Sequence, residues 1–315
     1  MFLGLSLPKT VFLKTCWLVL ISAMMLDVES IAEEFHEEVV YQYSDTQRLV
    51  TLVNAAAELL STIGEEAFED FSKEGSRWYY GQYYLFVYSP ESICLFHPVQ
   101  PDLVGKDMKE FRDINGKPVV ELITKVGEQS PGKASDWVFY KWPDKDELLP
   151  HWKGAYIRKV AGPDGKIYFV GSGAYNLKTE RSVVEHRVQM AAELLEAKGK
   201  NYAFKQFRSS ATPYSFLDAY VFVVDLQGRT IFDPAYPTLE GRSVLPFQDA
   251  IGKFPVKKLL KELEHNDQAR LQYLWRNPGV FEMTRKSIYA EKVKVGDQTL
   301  IVGSDYFLAT PIWMQ

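Results

Sequence analysis

One long unit occurs twice in this sequence. Tyr84-Leu85-Phe86-Val87 returns as Tyr220-Val221-Phe222-Val223, and Phe96-His97-Pro98 returns as Phe232-Asp233-Pro234. At the same constant offset, Gly105, Phe111, Asp113, Gly116 and Lys117 return as Gly241, Phe247, Asp249, Gly252 and Lys253. The segment ahead of each block repeats too: Ala56, Glu58, Leu59 and Leu60 match Ala191, Glu193, Leu194 and Leu195, and Ala67-Phe68-x-x-Phe71 matches Ala203-Phe204-x-x-Phe207. Downstream, Tyr140-x-Trp142, Lys153-x-x-Tyr156 and Gly171-Ser172 return as Tyr273-x-Trp275, Lys286-x-x-Tyr289 and Gly303-Ser304. Such a period far exceeds the roughly 20–50 residues of a solenoid repeat, so each copy is expected to be a domain with its own core.

Composition allows this. The chain has 315 residues, 46% of them hydrophobic and 14% aromatic, enough for two packed cores. The net charge is −5, and Lys and Arg stand singly among acidic residues rather than along a stripe, which argues against a nucleic-acid partner.

The N-terminus reads as an export signal. Lys9 and Lys14 precede an apolar run from Cys16 to Leu26, followed by a polar step to Ser30-Ile31-Ala32, where the small residues Ser30 and Ala32 suit signal peptidase. The expected divisions are a signal peptide over 1–32, a first domain over 33–177 and a second over 178–315. The alternative is an uncleaved N-terminal membrane anchor, although the run is shorter than the ~20 residues a span requires. Once Cys16 leaves with the signal, Cys94 remains alone, so no internal disulfide can form. Within Ile93-Cys94-Leu95-Phe96 it reads as a small core residue.

Each copy has the same predicted order. Leu49, Val53, Ala56, Leu60 and Ile63 make one apolar face of a long helix, as do Val184, Val188, Ala191 and Leu195 in the second copy. The aromatic and β-branched runs at Tyr84–Tyr88 and Tyr220–Val224 are followed by the turn signals Ser89-Pro90-Glu91-Ser92 and Asp225-Leu226-Gln227-Gly228, which predicts hairpins. A polar, proline-rich interval ends in short helices near Val119–Val126 and Pro255–Leu263, and a three-strand meander closes the unit. The expected fold is α+β: a long helix, then an antiparallel sheet with helices on one side, with the junction between Tyr175 and Arg181.

These residues, in this order, resemble the Cache domain, an extracytoplasmic relative of the PAS sensor fold. The carrying motifs are Tyr84-x-Phe86-Val87-Tyr88, Phe96-His97-Pro98, Leu103-Val104-Gly105-Lys106, Asp113-x-x-Gly116-Lys117, Tyr140-x-Trp142 and Val170-Gly171-Ser172-Gly173-x-Tyr175. The second copy departs from them with Asp233 in place of His97 and Asp305 in place of Gly173. The resemblance implies two PAS-like domains that bind organic acids, amino acids or amines on the open side of the sheet. It also implies a signal passed to a bacterial membrane kinase or chemoreceptor, here a separate protein.

Strand alternation puts Tyr140 and Trp142 on one face, and likewise Tyr273 and Trp275, as aromatic pocket walls or simply core. Lys153 with Tyr156, and Lys286 with Tyr289, offer a cation and a hydroxyl to a ligand carboxylate, unless the lysines are only solvated surface. Arg158 is expected beside Tyr156, where the second copy has Glu291, which favours the first copy as the anion site. Arg77 and Trp78 form a further aromatic-basic cluster. The five histidines show no metal-ligand spacing and no cofactor motif is present, so neither a metal nor a cofactor is expected. No nucleophile motif points to an enzyme. The reading is a secreted or periplasmic tandem sensor that binds a small anionic metabolite and reports it to a membrane histidine kinase or chemoreceptor. The alternative is an interaction module of the cell envelope with degenerate pockets.

Overall fold

The structure is a computed structural model that describes residues 39–128, 134–143, 149–276 and 283–308. The segment read as an export signal lies outside these residues. Among the described residues no helix is long and apolar enough to cross a membrane. The described residues from 41 onward make one compact unit.

The first copy begins with α1 (Ser44–Ile63), which buries Thr46, Leu49, Val53, Ala56, Ala57 and Leu60 along one stripe. The helix stops at Gly64, whose φ of 61° lies in the left-handed region that costs a residue with a Cβ most. A short helix, α2 (Ala67–Phe71), completes this layer. The strands follow: β1 (Tyr79–Tyr80), β2 (Tyr83–Tyr88) and β3 (Cys94–Phe96), then a short helix α3 (Val119–Thr124), then β4 (Ser135–Trp142), β5 (His151–Ala161) and β6 (Ile167–Tyr175).

The second copy repeats the plan: α4 (Arg181–Arg208), β7 (Ser215–Phe216), β8 (Ala219–Asp225), β9 (Thr230–Phe232), α5 (Pro255–Leu263), β10 (Gln268–Arg276), β11 (Met283–Val295) and β12 (Gln298–Phe307). Its long helix breaks at Gly199, φ 73°, the repeat equivalent of Gly64. The two sheets have the same antiparallel order, β1-β2-β6-β5-β4 with β3 on β2, and β7-β8-β12-β11-β10 with β9 on β8. The expected α+β architecture, a long helix with an antiparallel sheet, is thus present once in each half.

Each sheet has two differently covered faces. The long helix lies on one: Leu49, Val53 and Leu60 pack with Leu85, Val87, Trp137, Phe139, Tyr156 and Val170. The other carries Tyr84, Phe86, Tyr88, Val138, Tyr140 and Ile157, over which Met108 and the α3 residues Val119, Val120 and Ile123 are laid. The repeated Asp-x-x-Gly-Lys turns hold this covering segment to the sheet. Asp113 Oδ1 accepts from the backbone N–H groups of Asn115 and Lys117 while Oδ2 accepts from that of Lys141 in β4, 2.8 Å in each case. Asp249 Oδ1 does the same for Ile251 and Lys253 at 3.0 and 2.8 Å. That motif is structural in both copies.

The two halves share a core. Val183 and Val184 of α4, with Phe216, Ala219 and Tyr306, join the cluster of Trp137 and Phe139, and Phe139 stacks on Phe216 with ring centroids 4.8 Å apart. Arg187 of α4 reaches across with Nη1 2.8 Å from Asp136 Oδ2, Nη2 3.1 Å from Asp136 Oδ1 and Nη2 2.5 Å from the carbonyl of Trp137. Glu180 accepts from the backbone N–H groups of Gln42 and Tyr43, at 2.8 and 2.9 Å, and so fixes the segment just ahead of α1 to the junction between copies.

Candidate functional site

On the face away from α1, the register of three strands sets one row of side chains. Tyr140 in β4 is the cross-strand partner of Lys153 in β5, and Lys153 is the partner of Tyr175 in β6. Lys153 is buried, 2% exposed. Its Nζ donates to the Tyr84 hydroxyl at 2.7 Å and stands 4.4 Å from the centroid of the Tyr84 ring and 5.3 Å from that of Tyr175. Trp142 continues the row, 5.7 Å from Tyr140 and 5.2 Å from Phe111 between ring centroids.

His97 borders this floor with its ring 5.3 Å from that of Tyr84. Its Nδ1 accepts from the backbone N–H of Gln100 at 3.0 Å. Burial, and then the charge of Lys153, push its pKa down to about 4, so the imidazole is neutral at physiological pH. Burial likewise pushes the Tyr140 hydroxyl well above its ordinary range, keeping it protonated and able to donate.

The second copy builds the same row with acidic residues at two positions, Asp305 and Asp233. Tyr273, Lys286 and Phe307 are successive cross-strand partners, matching Tyr140, Lys153 and Tyr175. Here Lys286 Nζ is 3.1 Å from Asp305 Oδ1, and the Tyr273 hydroxyl donates to Asp305 Oδ2. The ammonium lies 5.0 Å from the Trp275 ring centroid and 4.6 Å from that of Phe307. Asp233, at the place of His97, accepts from the backbone N–H groups of Ala235 and Tyr236 at 3.0 and 2.8 Å, and burial raises its pKa.

Tyr140, Trp142 and Lys153 therefore come together, as do Tyr273, Trp275 and Lys286, but other candidates do not join them. Tyr156 and Arg158 face α1: the Tyr156 hydroxyl donates to Ser135 Oγ at 2.8 Å, and Arg158 Nη1 donates to Asn54 Oδ1 at 3.0 Å. Tyr289 also lies on the helix side, donating to Glu291 Oε2 at 3.0 Å. The reason is strand parity, since residues three or five apart on one strand point to opposite faces. The Arg158/Glu291 difference therefore cannot favour either copy as an anion site. Trp78 belongs to the helix-side core, edge-on to Phe71, and Arg77 lies over it with Cζ 4.1 Å from the ring centroid.

Sequence reasoning passed over Tyr84, His97 and Tyr175 as site residues, and Asp305 with them. The signal was available in the period-2 pattern, which places Tyr84 with Phe86 and Tyr88, and in the substitution of Gly173 by Asp305 between copies.

A cleft between the two halves is lined by Lys117, Asp136, Phe139, Arg187 and Phe216 among others. Its charges are already engaged: Arg187 holds Asp136, and Lys117 Nζ donates to the carbonyl of Ser215 at 3.2 Å. Among the described residues no group of three or more His, Cys, Asp or Glu could hold a metal ion. Burial pushes the Cys94 thiol up to about 11, leaving it a thiol at neutral pH.

A family sequence model described as Single Cache domain 2 matches residues 176–307, and one described as Cache domain matches residues 76–180. Three solved structures are similar in part. The periplasmic sensor domain of a chemotaxis protein is 24% identical, covering 43% of this chain and 100% of its own at a TM-score of 0.34. A Cache chemosensory domain described for carboxylic acid recognition is 21% identical over 42% of this chain and 95% of its own, TM-score 0.35. A methyl-accepting chemotaxis protein from Vibrio parahaemolyticus is 16% identical over 42% and 88%, TM-score 0.34. The two sequence matches cover both sheets in tandem.

Proposed function

Because this chain belongs to the Cache family, with one such domain in each half, we propose that its first domain binds a small organic anion outside the cytoplasm. Ligand sensing is the general role of Cache domains, and the finer reading concerns what this floor accepts. One observation carries it. Lys286 holds the carboxylate of Asp305 at 3.1 Å, and the equivalent lysine of the first domain, Lys153, has Gly173 at the position equivalent to Asp305. A ligand carboxylate would take, between Lys153 and the hydroxyls of Tyr84 and Tyr140, the place that the Asp305 carboxylate takes in the second floor. A charge-assisted hydrogen bond of this kind contributes about 1.5–3 kcal/mol.

The export-signal reading of the N-terminus supports a bacterial periplasmic or secreted location, and the bound state would be reported to a separate membrane histidine kinase or chemoreceptor. No catalytic role is assigned to any residue. For the second half, the internal Lys286–Asp305 pair favours the other reading, a domain that serves as an interaction surface.

A thermal-shift screen of small carboxylates, amino acids and amines on the purified chain tests this, since a ligand that binds only the folded state raises its melting temperature. The expected hits are carboxylates, weakened roughly tenfold or more in Lys153→Met. Hits confined to amines would refute the anion reading, and no hit across the panel would leave the interaction module as the better account.

A further inference from the structure

We propose that the second domain contains a latent carboxylate-binding site whose resident occupant is the side chain of Asp305. The two rows Tyr140–Lys153–Tyr175 and Tyr273–Lys286–Phe307 are superposable in register. Among the described residues, the Asp305 carboxylate is held by Lys286 Nζ at 3.1 Å to Oδ1 and by the Tyr273 hydroxyl on Oδ2. The surroundings are enclosed and aromatic. Lys286 and Asp305 side chains are only 10% and 14% exposed, and the ammonium is flanked by Trp275 and Phe307. Tyr220 stands near enough that the Asp305 charge, after burial, raises its pKa.

A carboxylate tethered to β12 is present at an effective concentration that a free anion does not reach, so the site is closed to ordinary ligands. Removing the tethered group leaves a buried ammonium, a tyrosine donor and the volume of one carboxyl group. That is the chemistry that accepts a small monocarboxylate. The inference shares with the proposed function the premise that these lysines take carboxylates, but it concerns the other domain and is read separately.

Acetate is the probe. The melting temperature of the whole chain is measured in sodium acetate and in sodium chloride at equal ionic strength, for the parent protein, Asp305→Ala, Asp305→Asn and Asp305→Ala with Lys286→Met. Asp305→Ala should melt lower in chloride and recover saturably in acetate, beyond any acetate shift of the parent. The double variant should keep only the parent's shift, and so should Asp305→Asn, whose amide still fills the space. Equal acetate shifts in all four proteins would overturn the proposal. If Asp305→Ala does not fold in chloride, folding in acetate is the expected result, and failure in both salts while Asp305→Asn folds overturns it. An absent parent shift with intact rescue would count against the first-domain reading alone.

Discussion

Gly173 lies against the stem of Lys153: a Cβ at residue 173 would sit 2.8 Å from Lys153 Cε and 3.0 Å from the carbonyl oxygen of Gly154. The glycine lets the lysine lie flat over the sheet and bring its ammonium to Tyr84. In the second copy the same position carries Asp305, and the lysine turns to it instead. The residue at this position therefore decides which group the lysine meets, beside the changes of His97 to Asp233 and Tyr175 to Phe307. Gly173→Asp should import the second domain's arrangement, with an internal carboxylate competing for Lys153. Calorimetric titration of whichever carboxylate stabilises the parent chain should show binding lost in Gly173→Asp. Undiminished affinity would mean that the anion sits elsewhere.

The opposite face supplies a control. Tyr156→Phe and Arg158→Ala remove hydrogen bonds to Ser135 and Asn54 beneath α1, so each should lower stability by about 1 kcal/mol while leaving ligand affinity unchanged. Denaturant unfolding and titration on the same variants separate the two effects. Loss of affinity without loss of stability would return Tyr156 and Arg158 to the site.

The repeat and the period-2 strands made the fold legible, because a constant offset between Tyr84 and Tyr220, or Lys117 and Lys253, survives any ambiguity in single elements. Strand parity was equally available for the site, yet pairing Lys153 with Tyr156 by closeness in sequence ignored it. What no single-chain pattern reveals is depth. Lys153 and Lys286 resemble surface lysines in sequence but are 2% and 8% exposed, because the segments held down by Asp113 and Asp249, whose Oδ2 atoms accept from the N–H groups of Lys141 and Leu274 in the sheet, close over that face. The shared core of Trp137, Phe139, Val184 and Phe216 was also hidden, since each residue looks like ordinary core of its own copy.

Acid should weaken the first domain through His97. Its folded pKa of about 4 lies below the ordinary 6.5, because burial and then Lys153 disfavour the imidazolium. Between these values the unfolded chain binds the proton and the folded chain does not. The stabilising contribution is therefore complete above about pH 6.5 and is lost as pH falls toward 4, an effect on the order of 3 kcal/mol. His97→Asn keeps an acceptor for the Gln100 N–H but removes the titration. Urea unfolding at pH 7.5 and 4.5 should show a smaller loss for this variant than for the parent, and equal losses would dismiss His97 as the cause.

The division proposed at 177/178 must be reconciled with the ion pair that crosses it. Arg187 is 1% exposed and its partner Asp136 stands on the edge strand of the first sheet, so the pair is formed only when the halves are docked. Removing Asp136 alone strands a buried guanidinium, which costs about 3 kcal/mol or more, whereas replacing both partners by apolar groups can be close to neutral. Asp136→Ala should therefore destabilise the chain more than the double variant Asp136→Ala with Arg187→Met, and a double-mutant cycle on melting or urea midpoints measures the coupling. With the interface intact the parent should unfold in one transition. Asp136→Ala should split it into two, one for each sheet with its own long helix. A single transition retained in Asp136→Ala, at a stability equal to that of the double variant, would show that the pair does not couple the halves and that the apolar contact of Phe139 on Phe216 holds them together without it.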